Sequence, residues 1–316
     1  MTAVRLIPYP KELHWHDGQV SLFAGSRPTS LEIARQLCQS LSDDCLGNTA
    51  AFGLPISVEA GTSACGASLE AYEIRVSPDG AILLAQTATG RTHAVHTLAQ
   101  LLWNFLPEGH LPCLTVQDWP ALSLRGVHVC YHLVAEFMPD LAPNLAELRR
   151  RIEVMRHYKC NQLLLEIEAM FPYEGHPLLP AQIAFTRDQL REVAALCREQ
   201  QVEIVPLVQC LGHAYNVLRL PEYAHLREVP GTTQQFCPTN PDVRAFYFEL
   251  VDEIREVFPD LRGFHVGGDE SRRLGVCPRC DERVDQIGVA GLYGEHVGTV
   301  CQGMLDRALI PYLWAD

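Results

Sequence analysis

The sequence predicts a small N-terminal α+β domain followed by a (β/α)8 TIM-type barrel, of which about the first five βα units are present. Three observations carry this. After residue 120, apolar runs of strand length alternate with helical patterns, the repetition that builds a parallel sheet. Polar or ionisable residues close nearly every one of those runs: Glu166 and Glu168, Gln209 with His213, Asp269 with Glu270, and Asp316. A barrel gathers its site from the ends of separate strands in this way. An open doubly wound sheet would instead place its ligand groups at one switch point, with a glycine-rich turn after the first strand, and the sequence has no such turn.

Residues 1–120 form the first predicted domain. Strand-like runs at 71–77 and 81–85 flank the turn cluster Pro78-Asp79-Gly80 and read as a hairpin. Val95, Leu98, Leu101 and Leu102 then fall at helical spacing over 93–102. The stretch around Pro112, Asp118, Trp119 and Pro120 reads as a linker. In the second domain, 121–316, the candidate strands are 124–130, 162–168, 203–209, 263–267 and 310–314. The helices between them carry start signals. Asn144 with Glu147 precedes Leu148, Ile152 and Met155, and Thr186 with Gln189 precedes Leu190, Val193, Ala194 and Cys197. Asn240-Pro241 precedes Val243, Phe246, Leu250, Ile254 and Val257, with proline in the first turn.

Composition narrows the function. The chain has 316 residues with 47% hydrophobic and 20% charged residues, an ordinary globular balance. Its net charge of −13 and the lack of a basic run argue against nucleic acid as a partner. No apolar run reaches the roughly 20 residues of a membrane span, and the first ten residues meet Pro8 before any signal-like apolar stretch. Most of the 12 cysteines stand singly in apolar context, for example Cys130, Cys160, Cys197 and Cys210. Small buried thiols of this kind suit a reducing compartment, so a cytoplasmic protein without membrane association is expected.

The most specific signal is Gly263-Phe-His-Val-Gly-Gly-Asp-Glu270, a short apolar strand running through two glycines into adjacent acids. Glycine permits a tight turn and close backbone approach, and two neighbouring carboxylates can serve two tasks on one substrate. Helix capping by Asp-Glu-Ser is the bland alternative. Cys277-Pro-Arg-Cys280 invites a metal reading, but structural zinc sites use two such pairs or a pair with histidines. There is no second pair. Cys237, Cys301 or His296 could complete a site only through the fold, so an ordinary loop pair, no metal and no cofactor are expected.

His265-Val-Gly-Gly-Asp-Glu270 resembles the catalytic motif of the family 20 glycoside hydrolases, the β-N-acetylhexosaminidases, and the resemblance runs through nearly all of the chain. Ile7-Pro-Tyr-Pro10, Glu70-Ala-Tyr-Glu-Ile and Thr97-Leu-Ala-Gln-Leu-Leu resemble that family's non-catalytic N-terminal domain. Leu124-Arg125-Gly126 resembles its first barrel strand. The runs from Leu163 to Tyr173 and from Pro206 to His213, then His225-Leu-Arg-Glu-Val229, Leu274-Gly275 and Trp314-Ala-Asp316, are most similar to the hexosaminidase D branch.

The resemblance implies exo-hydrolysis of a terminal β-linked N-acetylglucosamine or N-acetylgalactosamine with retention, the sugar's own acetamide oxygen acting as nucleophile. Asp269 would orient that acetamide and stabilise the oxazolinium charge, while Glu270 protonates the leaving oxygen and then activates water. Arg125 matches an arginine that fixes sugar hydroxyls, Trp314 an aromatic wall of the acetamide pocket, and His213 the Gly-His position beside the acid. Asp316 and Glu168 join them as substrate-binding candidates. Two positions depart from the pattern: Cys130 stands where many members have Asp, and Ala169 where the second strand ends in an acid. Glu166 and Glu168 could substitute, since period-two spacing places both on one strand face.

Three readings follow: an active exo-β-N-acetylhexosaminidase on a carbohydrate partner, a catalytically inactive sugar-binding relative or truncated fragment, and a zinc-dependent hydrolase with His and Cys ligands. A complete barrel takes about 250 residues, whereas 196 lie in positions 121–316. The expectation is an N-terminal part of a longer enzyme that holds the acid pair but turns over little substrate by itself.

Overall fold

The structure, a computed structural model, describes residues 4–23, 28–41, 48–61, 68–131 and 145–314. It divides into two units, Met1–Arg125 with Glu153–Cys160, and Gly126–Ile152 with Asn161–Asp316.

In the first unit six strands, β1 (Glu12–Ser21), β2 (Asn48–Ala51), β3 (Leu54–Ala60), β4 (Tyr72–Ser77), β5 (Gly80–Ala85) and β6 (His110–Asp118), pair in the order β1-β6-β4-β5-β3-β2. The hairpin read from the sequence is β4–β5, closed between Ser77 and Gly80. Helix α1 (Ser30–Ser40) begins with a capping box: Thr29 Oγ1 accepts from Glu32 N, and Glu32 Oε2 accepts from Thr29 N. Helix α2 (Ala88–Phe105) is longer than predicted because Thr87 caps it one turn earlier, its Oγ1 accepting from Gly90 N at 3.1 Å. Leu98, Leu101 and Leu102 pack with Ile74, Leu83 and Val116 of the sheet in one fully buried core.

The supposed linker is a correction. Residues 110–118 form β6, an interior strand between β1 and β4. Pro112 is tolerated because β1 is irregular between Trp15 and Gln19, directly before the Gln19↔Pro112 pairing, so the missing N–H falls where the ladder is already broken. Asp118 at the end of β6 is buried and accepts from Tyr72 Oη (3.0 Å) and from the equally buried Lys159 Nζ (2.8 Å). Each polar group is thereby satisfied without water.

The second unit holds five parallel strands among the described residues: β7 (Gly126–Cys130), β8 (Gln162–Glu166), β9 (Glu203–Leu207), β10 (Gly263–His265) and β11 (Ile310–Tyr312), in the order β11-β10-β9-β8-β7. Every strand lies beside its predecessor in sequence, with none of the reversal of a doubly wound sheet. That is the order of a barrel wall. Helices α3 (Leu145–His157), α4 (Arg187–Glu199), α5 (Tyr215–Leu218), α6 (Pro241–Val257) and α7 (Pro278–Leu305) fall between them. Thr186 and Gln189 form the expected capping box of α4, and Asn240 Oδ1 caps α6 by accepting from Asp242 N at 3.1 Å. The predicted apolar stripes of both helices are buried. The proposed cap at Asn144 lies outside the described residues. No helix among the described residues is long and apolar enough to cross a membrane.

Candidate active site

Because the five strands run parallel, the segments leaving their C-terminal ends gather on one rim. β8 to β11 stop two residues sooner than the sequence suggests, while β7 ends at Cys130 as read but begins two residues later, and the chain then turns. A line of polar groups crosses the rim: His128 Nε2 lies 2.9 Å from Glu166 Oε2, Gln209 Nε2 donates to Glu166 Oε1 at 3.4 Å, and Gly268 N donates to Gln209 Oε1 at 3.2 Å. Gly267 is required here on two counts. Its φ is 68°, and a Cβ would stand 1.9 Å from Gln209 Oε1.

The acid pair follows. His213 Nε2 is 3.1 Å from Asp269 Oδ2 and 3.4 Å from Glu270 Oε2, so one imidazole meets both carboxylates. Gly212 makes this approach possible, since a Cβ there would sit 2.3 Å from the Asp269 carbonyl oxygen. Arg272 Nη2 donates to Glu270 Oε1 at 2.6 Å. The two acids differ in access: the Asp269 side chain is 19% exposed and that of Glu270 46%. Asp269 Oδ1 is buried and has no hydrogen-bond partner among the described residues. A buried acceptor left unmatched costs about 1–3 kcal/mol.

Three non-glycine residues of this rim hold left-handed backbone, Glu168 (φ 38°), His213 (φ 48°) and Glu270 (φ 50°). Such conformations cost of order 1–3 kcal/mol each and cluster where side chains must be aimed. The turn at Glu168 also corrects the paired-face reading of Glu166 and Glu168. The strand ends at Glu166 and a 3-10 turn occupies Glu168–Met170, so period-two alternation stops before the second acid. Glu166 joins His128 and Gln209, whereas Glu168 Oε2 accepts from Asn216 Nδ2 at 2.5 Å. Glu168, Tyr173, Gln209, His213 and Asn216 border a cavity of about 20 Å³, room for one water. The Tyr173 hydroxyl is buried without a hydrogen-bond partner among the described residues, and burial together with Glu168 pushes its pKa well above the usual value.

Trp314 is positioned by β10. Its N–H donates to Gly267 O at 3.2 Å, and its indole lies 4.3 Å from the His265 ring. His265 Nδ1 accepts from Gly267 N at 3.1 Å, and burial, with the nearby His128, pulls the His265 pKa down to about 4. Buried His157 in the first unit is likewise pulled down to about 4 by desolvation. Between pH 6.5 and 4 the unfolded chain therefore binds protons that the folded chain refuses. Stability is full above the ordinary histidine pKa and is lost as the pH falls toward 4. The unfolding free energy from urea titrations should drop over that window, by on the order of 2 kcal/mol for each such ring after allowance for partial exposure; a free energy flat from pH 7 to 4 would contradict neutral buried imidazoles.

Arg125 directly precedes β7. Its guanidinium is occupied by Glu70, the Lys159 carbonyl (2.8 Å) and the Leu122 carbonyl (2.6 Å). These contacts hold the Arg125 side chain in an ion pair with Glu70 within the first unit. Asp316 lies outside the described residues. Gln209 stands among the polar strand ends read from the sequence, whereas Asn216 and Tyr173 carry no motif of their own until the loops fold together. Two groups have donors close enough for a metal, His128 with Cys130 and Glu166, and Glu228 with Cys237, Cys277 and Cys280. In the first, His128 and Glu166 already satisfy each other.

Residues 143–300 match the family model described as glycosyl hydrolase family 20, catalytic domain, and residues 3–119 match glycosyl hydrolase family 20, domain 2. Hexosaminidase D of Bos taurus is 37% identical over 179 residues, covering 55% of this chain and 52% of that protein. A beta-hexosaminidase of Akkermansia muciniphila is 28% identical over 246 residues, covering 67% of this chain and 48% of its own length. The chain thus spans about half the length of these curated relatives. Among solved structures, the chitobiase of Flavobacterium johnsoniae superposes on 98% of the chain with a TM-score of 0.74 at 18% identity, over 52% of that chain. A beta-N-acetylhexosaminidase matches with the same TM-score at 20% identity, over 65% of its length. At these identities the structures speak for the fold.

Proposed function

From the premise that this chain belongs to glycosyl hydrolase family 20, we propose that the polypeptide carrying it removes terminal β-linked N-acetylglucosamine or N-acetylgalactosamine by substrate-assisted, retaining hydrolysis. One observation carries the proposal: the buried, unmatched Oδ1 of Asp269 beside the more exposed Glu270. A 2-acetamido N–H is the donor that would satisfy Oδ1. The carbonyl oxygen of the same acetamide is thereby turned toward the anomeric carbon, where it displaces the aglycone and forms an oxazolinium ion. Glu270, closer to solvent, gives its proton to the departing oxygen and takes one from the water that reopens the ring. His213 spans the two acids and fixes their spacing, and the Trp314 face packs against the acetamide methyl. Glu168 and Asn216 offer polar groups to the sugar from the adjoining cavity. The 1–120 segment is read as the non-catalytic domain and 121–316 as the catalytic part.

Four donors gathered at Cys237 leave no open position for a metal-bound water, which disfavours the zinc-hydrolase reading. The ten cysteines among the described residues form no disulfide, which supports a reducing, cytoplasmic location, although Cys130 is exposed and Cys160 half-buried rather than buried as read from the sequence. The test is release of a chromophore from aryl N-acetyl-β-glucosaminide, aryl N-acetyl-β-galactosaminide and plain aryl β-glucoside, by the chain and by any longer native polypeptide that carries it. Turnover confined to the N-acetylated pair is expected. Equal turnover of the plain glucoside would remove acetamide participation from the mechanism.

A further inference from the structure

We propose that Glu228, Cys237, Cys277 and Cys280 form a closed structural site for a zinc ion, which ties the loop following the acid pair to the segment ending at Cys237. The proposal does not depend on the hydrolase reading, because none of the four residues takes part in that chemistry.

The donor atoms lie within 4.8 Å of one another. Cys237 Sγ is 3.6 Å from both Cys277 Sγ and Cys280 Sγ, and Cys280 Sγ is 3.0 Å from Glu228 Oε2. With zinc–sulfur bonds of about 2.3 Å, a tetrahedral site has sulfur–sulfur edges of about 3.8 Å, so the three thiols need only small movements. Cys277 is the N-cap of α7 and Cys280 lies in its first turn, which sets the pair at the two-residue spacing of zinc sites. No second pair stands in the sequence because the partners come from another loop, where the antiparallel bridge between Arg227 and Phe236 sets Glu228 and Cys237 on adjacent strands, each one residue from the bridge. Neither Cys301 nor His296 joins them; both His296 nitrogens face backbone carbonyls, of Cys210 and Pro238.

Glu228 is the independent observation. It is 1% exposed, and its described side-chain partners are two backbone amides and a thiol, while the guanidinium at the cluster, Arg279 Nη2, lies 3.9 Å from Cys237 Sγ instead. Its Oε1 accepts from Val276 N (2.8 Å) and Cys277 N (3.1 Å), which turns Oε2 onto the thiols. A buried carboxylate with no counter-cation is costly. A divalent ion at this point supplies the charge, and the two amides serve as the outer partners that orient a ligating carboxylate. A disulfide would not resolve the cluster, since pairing any two sulfurs leaves a third thiol and the carboxylate. Three thiolates select a soft ion, and four protein donors close the coordination sphere of zinc. The thiols release their protons to solvent as the ion enters, through a surface cavity bordered by Glu228, Pro230, Cys237, Val276 and Cys277.

The site begins seven residues after Glu270. Arg273 N donates to Gln235 Oε1 at 3.1 Å, and Phe236 N donates to Leu211 O at 2.9 Å, next to Gly212 and His213. The strand of the clasp that carries Cys237 therefore reaches the acid loop and the Gly212-His213 turn, and metal loss should loosen Asp269 and Glu270.

Elemental analysis of the chain purified without chelator should find about one zinc per chain, and cobalt substitution should give thiolate-to-cobalt charge-transfer and tetrahedral d–d absorption. Cys237→Ser and Cys280→Ser should lose the metal, while Cys301→Ser, on the same helix but outside the cluster, keeps it. Glu228→Gln should weaken binding by at least the about 10–100-fold typical of losing even an outer partner. Should the cysteine variants fail to fold, titration of the wild-type chain with a mercurial decides: release of one zinc in step with modification of three thiols supports the site. A folded wild-type chain that takes up no stoichiometric zinc after anaerobic reconstitution, a disulfide among the three cysteines, or an unchanged cobalt spectrum in Glu228→Gln overturns it.

Discussion

Asp269→Asn should lower kcat/KM on N-acetylated aryl β-glycosides by about 10²–10³-fold, or about 3–4 kcal/mol of transition-state stabilisation, the scale of losing one preorganised electrostatic partner. The loss should be the same for good and poor leaving groups, because the acetamide must attack in both cases. Asn keeps the size of the side chain and can still meet His213, so the fold is not at risk. What changes is Oδ1, the buried unmatched atom. An amide there cannot balance the positive charge of an oxazolinium ion, and it presents either a weaker acceptor or a donor to the acetamide N–H. A thiazoline mimic of the cyclised intermediate should accordingly bind the wild type tightly and the variant weakly. Unchanged thiazoline affinity would sink the assigned role.

Glu270→Gln should behave differently. General acid catalysis contributes about 10²–10⁴-fold, and that contribution matters most when the departing alcohol is a poor leaving group. Alkyl glycosides and disaccharides should lose most of their rate, and nitrophenyl glycosides much less. The greater exposure of Glu270 than of Asp269 suits this division, since the proton must reach an oxygen on the aglycone side. An added small nucleophile such as azide should restore turnover of the activated substrates, where only the step of water attack is then deficient. Equal loss on both classes of substrate would assign Glu270 to something other than proton transfer.

Legibility in the sequence followed the range of the interactions. The α4 and α6 caps at Thr186 and Asn240, the β4–β5 hairpin and the apolar stripes depend on residues a few positions apart, and they stand where periodicity and turn chemistry placed them. Parallel strands with acids after β8 and β10 were equally readable, and the motif at 265–270 carried the family. Strand ends were less so. Alternation continues through Glu168 in sequence, but a left-handed turn there aims the side chain at Asn216, a partner 48 residues away.

The tertiary structure alone decided what two distant segments do together. Arg125 finds the carboxylate of Glu70, 55 residues earlier, a partner that no motif announces. Cys277 and Cys280 read as a loop pair until the bridge at Arg227 and Phe236 delivers Glu228 and Cys237 to them. His213 becomes the link between Asp269 and Glu270 only because Gly212 lets two backbones close to a distance no side chain permits. Local propensity acts through a residue's chain neighbours and is written in sequence order. The partner of a charge or a thiol is set by which loops the parallel strands bring to the same rim, and no spacing along the chain encodes that distance.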